Sequence, residues 1–204
     1  MSGTSIDAVN GRQPEHPVSP LFLHRWSPRA FDGSDMAEGE LMSLFEAARW
    51  APSAFNSQPW HFLHARRGEA AWPVFLDLLV PGNQIWAQAA SALLFMLSDT
   101  TPDSAKGPRP SPTHSFDAGA AWASLALQAT MMGYQAHGMI GADFDRARTT
   151  LGVPERYHFE AAIAIGRPTD PAILPELLRA RETPSSRKPK ATFLHAGRFD
   201  SGAS

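Results

Sequence analysis

The feature that most constrains the fold is the stretch Ala47–Trp60, AARWAPSAFNSQPW. The apolar residues Leu41, Leu44, Phe45 and Ala48 repeat at i, i+3, i+4 and i+7. This spacing predicts a helix over Glu38–Ala51, which Pro52 ends. From Trp60 to Ala65 the side chains alternate, as in a strand. The loop between them holds two prolines and otherwise mainly small or polar residues. It can therefore present backbone N–H groups and amide side chains to a ligand at low entropic cost.

The rest of the chain also alternates helical and strand-like segments. Further helices are predicted at Ala71–Leu79, Gln84–Gln88 after a break at Pro81–Asn83, Phe116–Tyr134, from an N-cap at Asp143 to Leu151, and Pro171–Arg181. Further strands are predicted at Ala89–Leu97, Gln135–Ile140, Ala161–Ile165 and Thr192–His195. This pattern predicts an α+β or α/β sandwich with a mixed sheet. No glycine-rich phosphate loop follows a strand, which argues against nucleotide binding of the Rossmann or P-loop kind.

Composition restricts the classes of function. The 204 residues suit one domain, and 43% of them are hydrophobic, enough for a full core. A net charge of −2 gives no reason to expect a nucleic acid or an anionic membrane as partner. The absence of cysteine excludes disulfides, thiolate catalysis and cysteine-ligated zinc.

Both ends and one internal segment are expected to lie outside the folded core. Residues 1–20 have neither the basic start nor the apolar run of a signal peptide, so we interpret them as a flexible tail of a cytoplasmic protein. The longest apolar run, around Ala87–Leu97, is too short for a membrane span. Residues 99–115 contain four prolines and predict a long mobile loop. The domain is thus expected to cover residues 21–199, with a short tail at 200–204.

The segment RWSPRAF, residues 25–31, is a candidate anion site. Pro28 disfavours a helical conformation at the preceding residue, so the segment should be extended or turning. In an extended chain Arg25, Ser27 and Arg29 point the same way, and two guanidinium groups with a hydroxyl suit a phosphate. The alternative is that both arginines are solvated surface residues.

Three histidines are candidate functional groups. His61 and His64 have the spacing of a metal pair, but on a strand they would face opposite sides, and no third ligand is evident. No metal site is predicted. His137 is a candidate contact for a substrate, with a buried structural role as the alternative.

Four blocks of residues resemble the FMN-dependent nitroreductase family, over about residues 23–199. They are RWSPRAF at 25–31; AARWAPSAFNSQPW at 47–60; AHGMIGAD at 136–143 followed by LGVP at 151–154; and AIGRP at 164–168 followed by SSRKP at 185–189. The resemblance implies an α/β/α sandwich with a central mixed, largely antiparallel sheet. It also implies a homodimer that binds FMN at the subunit interface, with the C-terminal segment exchanged between subunits.

In that family the first block binds FMN, and the matching residues here are Arg25, Trp26, Ser27 and Arg29. By resemblance, Arg25 and Ser27 hold the phosphate. Arg29 approaches the N1/C2 edge of the flavin, where a cation favours the reduced form. Arg187 matches a second phosphate-binding arginine, which Lys188 assists.

Other blocks are expected to surround the flavin ring. The loop would approach it from the other subunit, through Pro52, Ser53, Ala54 and Asn56, with Gln58 nearby. Asn83 matches an asparagine that hydrogen-bonds the flavin. A backbone N–H is expected to face flavin N5 from the segment Met139, Ile140 and Gly141. Two positions depart from the family: Trp86 and Ser185 stand where some members carry a basic residue.

The resemblance implies an oxidoreductase in which NADH or NADPH reduces the flavin at N5 and a small molecule then takes the two electrons. Nitroaromatics, quinones and enone-like molecules are the candidate acceptors. No acid or base side chain is assigned to catalysis, because flavin N5 performs the chemistry. Two alternatives are a protein that binds or stores flavin without turnover and a relative that consumes the flavin.

Overall fold

The computed structural model describes residues 10–103 and 107–199. The first nine residues of the predicted tail, three residues of the predicted mobile loop and the C-terminal tail 200–204 lie outside this range. The predicted mobility of the loop and of the tails stays a prediction.

The described residues form a four-stranded sheet with helices on both faces. The helices are α1 Pro20–His24, α2 Glu38–Arg49, α3 Trp72–Asp77, α4 Pro81–Ala87, α5 His114–Met131, α6 Phe144–Thr150 and α7 Glu176–Arg179. The strands are β1 Trp60–Arg66, β2 Ala92–Asp99, β3 Gln135–Met139 and β4 Tyr157–Gly166. Their order is β1-β2-β4-β3, and all three pairings are antiparallel. The predicted α+β sandwich is confirmed, with antiparallel pairing throughout the described strands.

The central strand β2 is buried along its whole length because helices cover both of its faces. On one face Leu94 and Met96 pack in a cluster with residues of α2 and α5. On the other face Phe95 packs in a cluster with Phe75 of α3 and Trp86 of α4. The nearly continuous apolar run Ala89–Leu97 predicted this strand, which the structure places at Ala92–Asp99.

The long helix α5 also follows its prediction. Alanine fills most of its buried positions, and this allows close packing against α2 and the sheet. Gly133 follows the C-cap with a φ of +78°, in the left-handed region that glycine adopts without strain, and the helix stops there. No helix among residues 10–103 and 107–199 has the length and hydropathy that crossing a membrane would need.

Three sequence predictions are wrong in detail. Pro81 begins α4 instead of breaking the chain, because its fixed φ suits the first turn of a helix. The predicted helix Pro171–Arg181 is interrupted by Pro175, which leaves a 3₁₀ turn and the short α7. The predicted strand Thr192–His195 is wrong: a 3₁₀ turn lies at Lys190–Thr192, and none of the strand pairings among residues 10–103 and 107–199 includes this segment. Its exchange with a second subunit stays a prediction.

Candidate active site

The segment 25–31 is irregular, as predicted, and side chains from distant parts of the chain fix its backbone. The Gln135 side chain accepts a hydrogen bond from the Trp26 N–H at 3.2 Å. Glu182 accepts from the N–H groups of both Arg29 and Ala30. Because its backbone is held in this way, the segment can present its side chains in one orientation.

Arginines converge around a cavity of about 270 Å³, which we call the arginine cavity. Its walls include four predicted residues of the first block and the predicted Arg187. The full lining is Arg12, Arg25, Trp26, Ser27, Arg29, His137, Arg181, Thr183, Ser185 and Arg187. The structure therefore brings together residues from both ends of the sequence that the anion-site hypothesis requires.

The arginine cavity has an excess of positive charge. Burial, followed by the neighbouring charges of Arg12 and Arg187, lowers the pKa of Arg25. Arg29 has Glu182 within 3.5 Å. Within the part of the chain that the structure describes, no carboxylate lies within ion-pair distance of Arg12, Arg25 or Arg187. A bound anion would remove this repulsion, so the donor set suits a phosphate group.

Arg12 is a site residue that the sequence did not identify, since it lies within the predicted flexible tail. Only 9% of it is exposed, and it donates hydrogen bonds to the carbonyl oxygens of Leu23, Arg25 and Ser185 at 2.8–3.0 Å. It thereby joins the N-terminal segment to both arginine-bearing segments. Arg12 thus has defined contacts although it lies within the predicted tail 1–20.

A second, larger cavity of about 910 Å³ opens beside the first, and we call it the apolar cavity. Arg25, Ser27 and His137 line both cavities, so the two adjoin each other at these residues. Its walls come from α5, the end of β3 and β4, and most of its lining residues are apolar. A volume of this size is in the range of sites that hold a cofactor or a small ligand.

His137 lies where the two cavities meet. Its ring packs against Trp86 at 4.7 Å between centroids, and its Nδ1 lies 2.9 Å from the Pro28 carbonyl oxygen. Since a carbonyl only accepts hydrogen bonds, Nδ1 carries a proton. Burial is the largest influence on the pKa of His137 and lowers it, so the neutral ring leaves Nε2 as an acceptor.

The predicted N5 segment lines the apolar cavity with Met139, Ile140 and Gly141. Asn83 lines neither cavity. Its side-chain amide donates to the Gly141 carbonyl at 3.0 Å and accepts from the Trp86 indole N–H at 3.3 Å. Asn83 therefore orients Gly141 in this chain, while its predicted hydrogen bond to a flavin stays untested.

A Gly141→Ala substitution should disturb this arrangement. A methyl group at Gly141 would overlap the Asn83 amide and press on Val80, so we expect the free energy of unfolding to fall by about 1–3 kcal/mol. We expect FMN affinity to fall as well, because the segment beside the apolar cavity moves. Urea unfolding and FMN titration measure both effects.

Gly39→Ala in α2 is the control: it has open space at the added methyl group and should be neutral or slightly stabilising. An equal effect of both substitutions would contradict this role of Gly141.

The predicted loop residues do not reach either cavity in their own chain. Ala54 and Asn56 line a separate cavity of about 750 Å³ together with residues of the 102–113 segment. Phe55, Asn56 and Gln58 have φ values of +48° to +56°, and the Phe55 side chain is fully exposed. Strain at non-glycine residues often marks functional loops. The contribution of Pro52, Ser53 and their neighbours to the other subunit's site stays a prediction.

The remaining candidates have other surroundings. Lys188 lines a neighbouring cavity of about 380 Å³ with Arg12 and Arg187 rather than the arginine cavity. His61 packs edge-on against Tyr157, and His64 packs against Phe45. Among residues 10–103 and 107–199, no three histidine, aspartate or glutamate side chains are grouped to hold a metal ion.

The known proteins that this chain resembles include several oxidoreductases. The profile of the Nitroreductase family matches residues 23–167. A crystal structure described as an oxidoreductase containing FMN is 53% identical, covers 94% of this chain and 98% of its own, and has a TM-score of 0.91. The CLA biosynthesis enone reductase of Lactiplantibacillus plantarum is 27% identical over 190 residues, covering 74% of this chain and 85% of that protein. A candidate NADH dehydrogenase/NAD(P)H nitroreductase of Rhodopseudomonas palustris is 28% identical over 87 residues, covering 43% and 44%.

Proposed function

Because the chain belongs to the nitroreductase family, we propose that it is an FMN-dependent oxidoreductase that passes two electrons from NADH or NADPH to a small organic acceptor. The acceptor classes we propose are nitroaromatics, quinones and enone-like molecules. The 53% identical structure that contains FMN supports the cofactor. The names of the enone reductase and the NAD(P)H nitroreductase support an acceptor and a donor of these kinds.

The observation that carries the proposal is that the two cavities adjoin and share Arg25, Ser27 and His137. An unneutralised arginine cluster lies next to an apolar space of about 910 Å³, and FMN has the same division into an anionic phosphate and a flat aromatic ring. The residues present therefore fit this cofactor. When bound, FMN would supply the two-electron chemistry that the side chains of the chain lack.

The protein's own residues would bind and orient the cofactor. Arg25, Ser27 and Arg187 would hold the phosphate by charge-assisted hydrogen bonds. Arg29 would place its positive charge near the ring, and its contact with Glu182 keeps it in position. The neutral His137 would offer Nε2 as an acceptor at the junction without adding a further positive charge.

The second subunit completes the proposed site. The loop 52–58 is restrained by Ser53, whose hydroxyl accepts from the Gln58 N–H at 3.0 Å, and by Asp117, which accepts from the Ala54 N–H at 3.2 Å. In a homodimer this loop would approach the cofactor of the partner. The exposed Phe193 and Leu194 near the C-terminus would then be covered by the partner as well.

Anaerobic mixing of the FMN-loaded protein with NADH or NADPH tests the function. We expect the yellow colour to bleach with at least one donor and to return when a nitroaromatic, a quinone or an enone is added. Colour that persists with both donors would contradict the proposal and favour a protein that binds flavin without turnover. Loss of flavin on reduction in air would indicate a flavin-consuming relative instead.

A further inference from the structure

A second polar cluster, made of residues that are not predicted to bind the cofactor, lies in the wall of the apolar cavity. It consists of Glu160, Ser98, His114 and Ser115, of which Glu160 and Ser115 line the cavity. Both serine hydroxyl groups donate to the same carboxylate oxygen, Oε1 of Glu160, and the bond from Ser115 is 2.7 Å long. His114 Nδ1 lies 2.7 Å from the Ser98 hydroxyl. A carboxylate is thus held in a mainly apolar wall.

A β-bulge directs Glu160 into the cavity. In the pairing of β2 with β4, Met96 lies opposite Ala161 and Leu97 lies opposite Phe159, so Glu160 is an extra residue without a partner. Consecutive residues of a regular strand point to opposite faces, yet Glu160 and Ala161 both line the apolar cavity. Bulges that change the direction of one side chain are frequent beside active sites.

The hydrogen bonds leave one oxygen of Glu160 available. Each serine has one hydroxyl proton, and both protons go to Oε1. Ser98 therefore accepts its other bond from a protonated Nδ1 of His114. Among the hydrogen bonds of the described residues none uses Oε2, although a carboxylate oxygen can accept two. Oε2 is free to accept from a ligand.

The position of Glu160 places this acceptor near the proposed reaction site. β3 and β4 are antiparallel, and Met139 at the end of β3 lies opposite Ala162 of β4. Glu160 precedes Ala162 by two residues, so it lies beyond the end of β3, on the side where the chain continues through Ile140 and Gly141. All these residues except Ala162 line the apolar cavity. A molecule bound to Glu160 would therefore lie close to the segment that is proposed to face the flavin.

We propose that Glu160 determines which acceptors this enzyme reduces. Its free oxygen accepts a hydrogen bond from an ammonium, N–H or O–H group of the acceptor, so the cavity favours molecules with such a donor and disfavours carboxylates. The inference rests on the proposed function, since it concerns the molecule that enters beside the cofactor. Arg25, the other charged residue in the cavity lining, is assigned to the cofactor phosphate. His158 packs against the ring of His114 at 5.9 Å and faces the cluster from β4.

Glu160→Gln tests the proposal because it keeps the shape of the side chain. The amide oxygen can accept from both serines, while the amide nitrogen replaces the free acceptor by a donor. The probes are 4-nitrobenzylamine, 4-nitrobenzyl alcohol and 4-nitrobenzoate. We expect the ratio of kcat/KM for the amine to that for the benzoate to fall about tenfold or more, the size of one charge-assisted hydrogen bond. The matched control is Glu155→Gln, which removes a negative charge from an exposed side chain that precedes β4 and lies outside the cavity lining, and it should leave the ratio unchanged.

A merely structural role of Glu160 would lower kcat/KM for all three probes together and leave the ratio unchanged, and this result would overturn the proposal. Calorimetric titration of the protein as purified with benzylamine and benzoate gives a readout that needs no turnover. We expect the substitution to weaken benzylamine binding and to strengthen benzoate binding. If the wild-type protein reduces none of the nitro probes but calorimetry shows this inversion, the proposed function fails while the binding role of Glu160 stands. If neither ligand binds, or both respond alike, the role of Glu160 is wrong.

Discussion

Arg25→Ala is expected to weaken FMN binding by about 1.5–3 kcal/mol, the contribution of a charge-assisted hydrogen bond. This loss corresponds to a rise in Kd of about ten- to hundredfold. Arg25 is half-buried and its positive charge is not neutralised, so its interaction with a phosphate is only weakly screened. Arg187→Ala is expected to fall at the lower end of the range, because Arg187 is more exposed. Titration of FMN fluorescence gives both values.

The control for both variants is Arg146→Ala, which removes an exposed arginine of α6 that pairs with Asp77 outside both cavities. It should leave FMN affinity unchanged. The double variant should bind more weakly than either single one, but the two losses need not add, since both side chains would contact one group. Retention of FMN by both single variants at the wild-type Kd would remove the phosphate assignment.

Glu182→Ala should lower the free energy of unfolding by about 3–5 kcal/mol, the usual cost of breaking a buried ion pair. Its side chain is 1% exposed, and Oε1 accepts from the N–H groups of Arg29 and Ala30. Oε2 lies 3.5 Å from the Arg29 guanidinium and makes no hydrogen bond, so it contributes through the ion pair alone. Removal would leave the N–H groups of Arg29 and Ala30 without their acceptor and the Arg29 guanidinium without its counter-charge. Urea unfolding measures the loss.

Two further variants test whether the loss of stability comes from the hydrogen bonds that Glu182 accepts. Glu182→Gln should cost less than the alanine substitution, because the amide oxygen can still accept from both N–H groups. Glu176→Ala, at the exposed start of α7, should change stability by less than about 1 kcal/mol. A stability of Glu182→Ala within about 0.5 kcal/mol of the wild-type value would show that Glu182 does not fix the segment 25–31.

The elements that the sequence predicted correctly are those whose pattern is local. A run that is apolar except for Ser91 was enough for most of β2. An aspartate before a helical segment was enough for the N-cap of α6, where Asp143 accepts from the Arg146 N–H at 3.0 Å. The arginine cavity was predicted in part, because Arg25, Ser27 and Arg29 lie close together in the sequence.

The residues that the sequence did not identify act over long separations. Arg12 donates a hydrogen bond to the Ser185 carbonyl oxygen. Glu182 accepts one from the Arg29 backbone N–H, and Glu160 accepts one from the Ser98 hydroxyl. Each is a single charged residue in a segment without periodicity, so no local pattern distinguishes it from a solvated surface charge. Only the fold shows that these side chains are enclosed. The bulge at Glu160 likewise depends on the pairing of two strands that are distant in the sequence.

A comparison of FMN with riboflavin tests the central claim most directly, because the two molecules differ only by the phosphate. Flavin-free protein would be titrated with each, and Kd read from the quenching of flavin fluorescence. If the arginine cavity holds the phosphate and the apolar cavity holds the ring, FMN binds and riboflavin binds at least about hundredfold more weakly. Equal affinities for the two molecules, or no binding of FMN, would contradict the account.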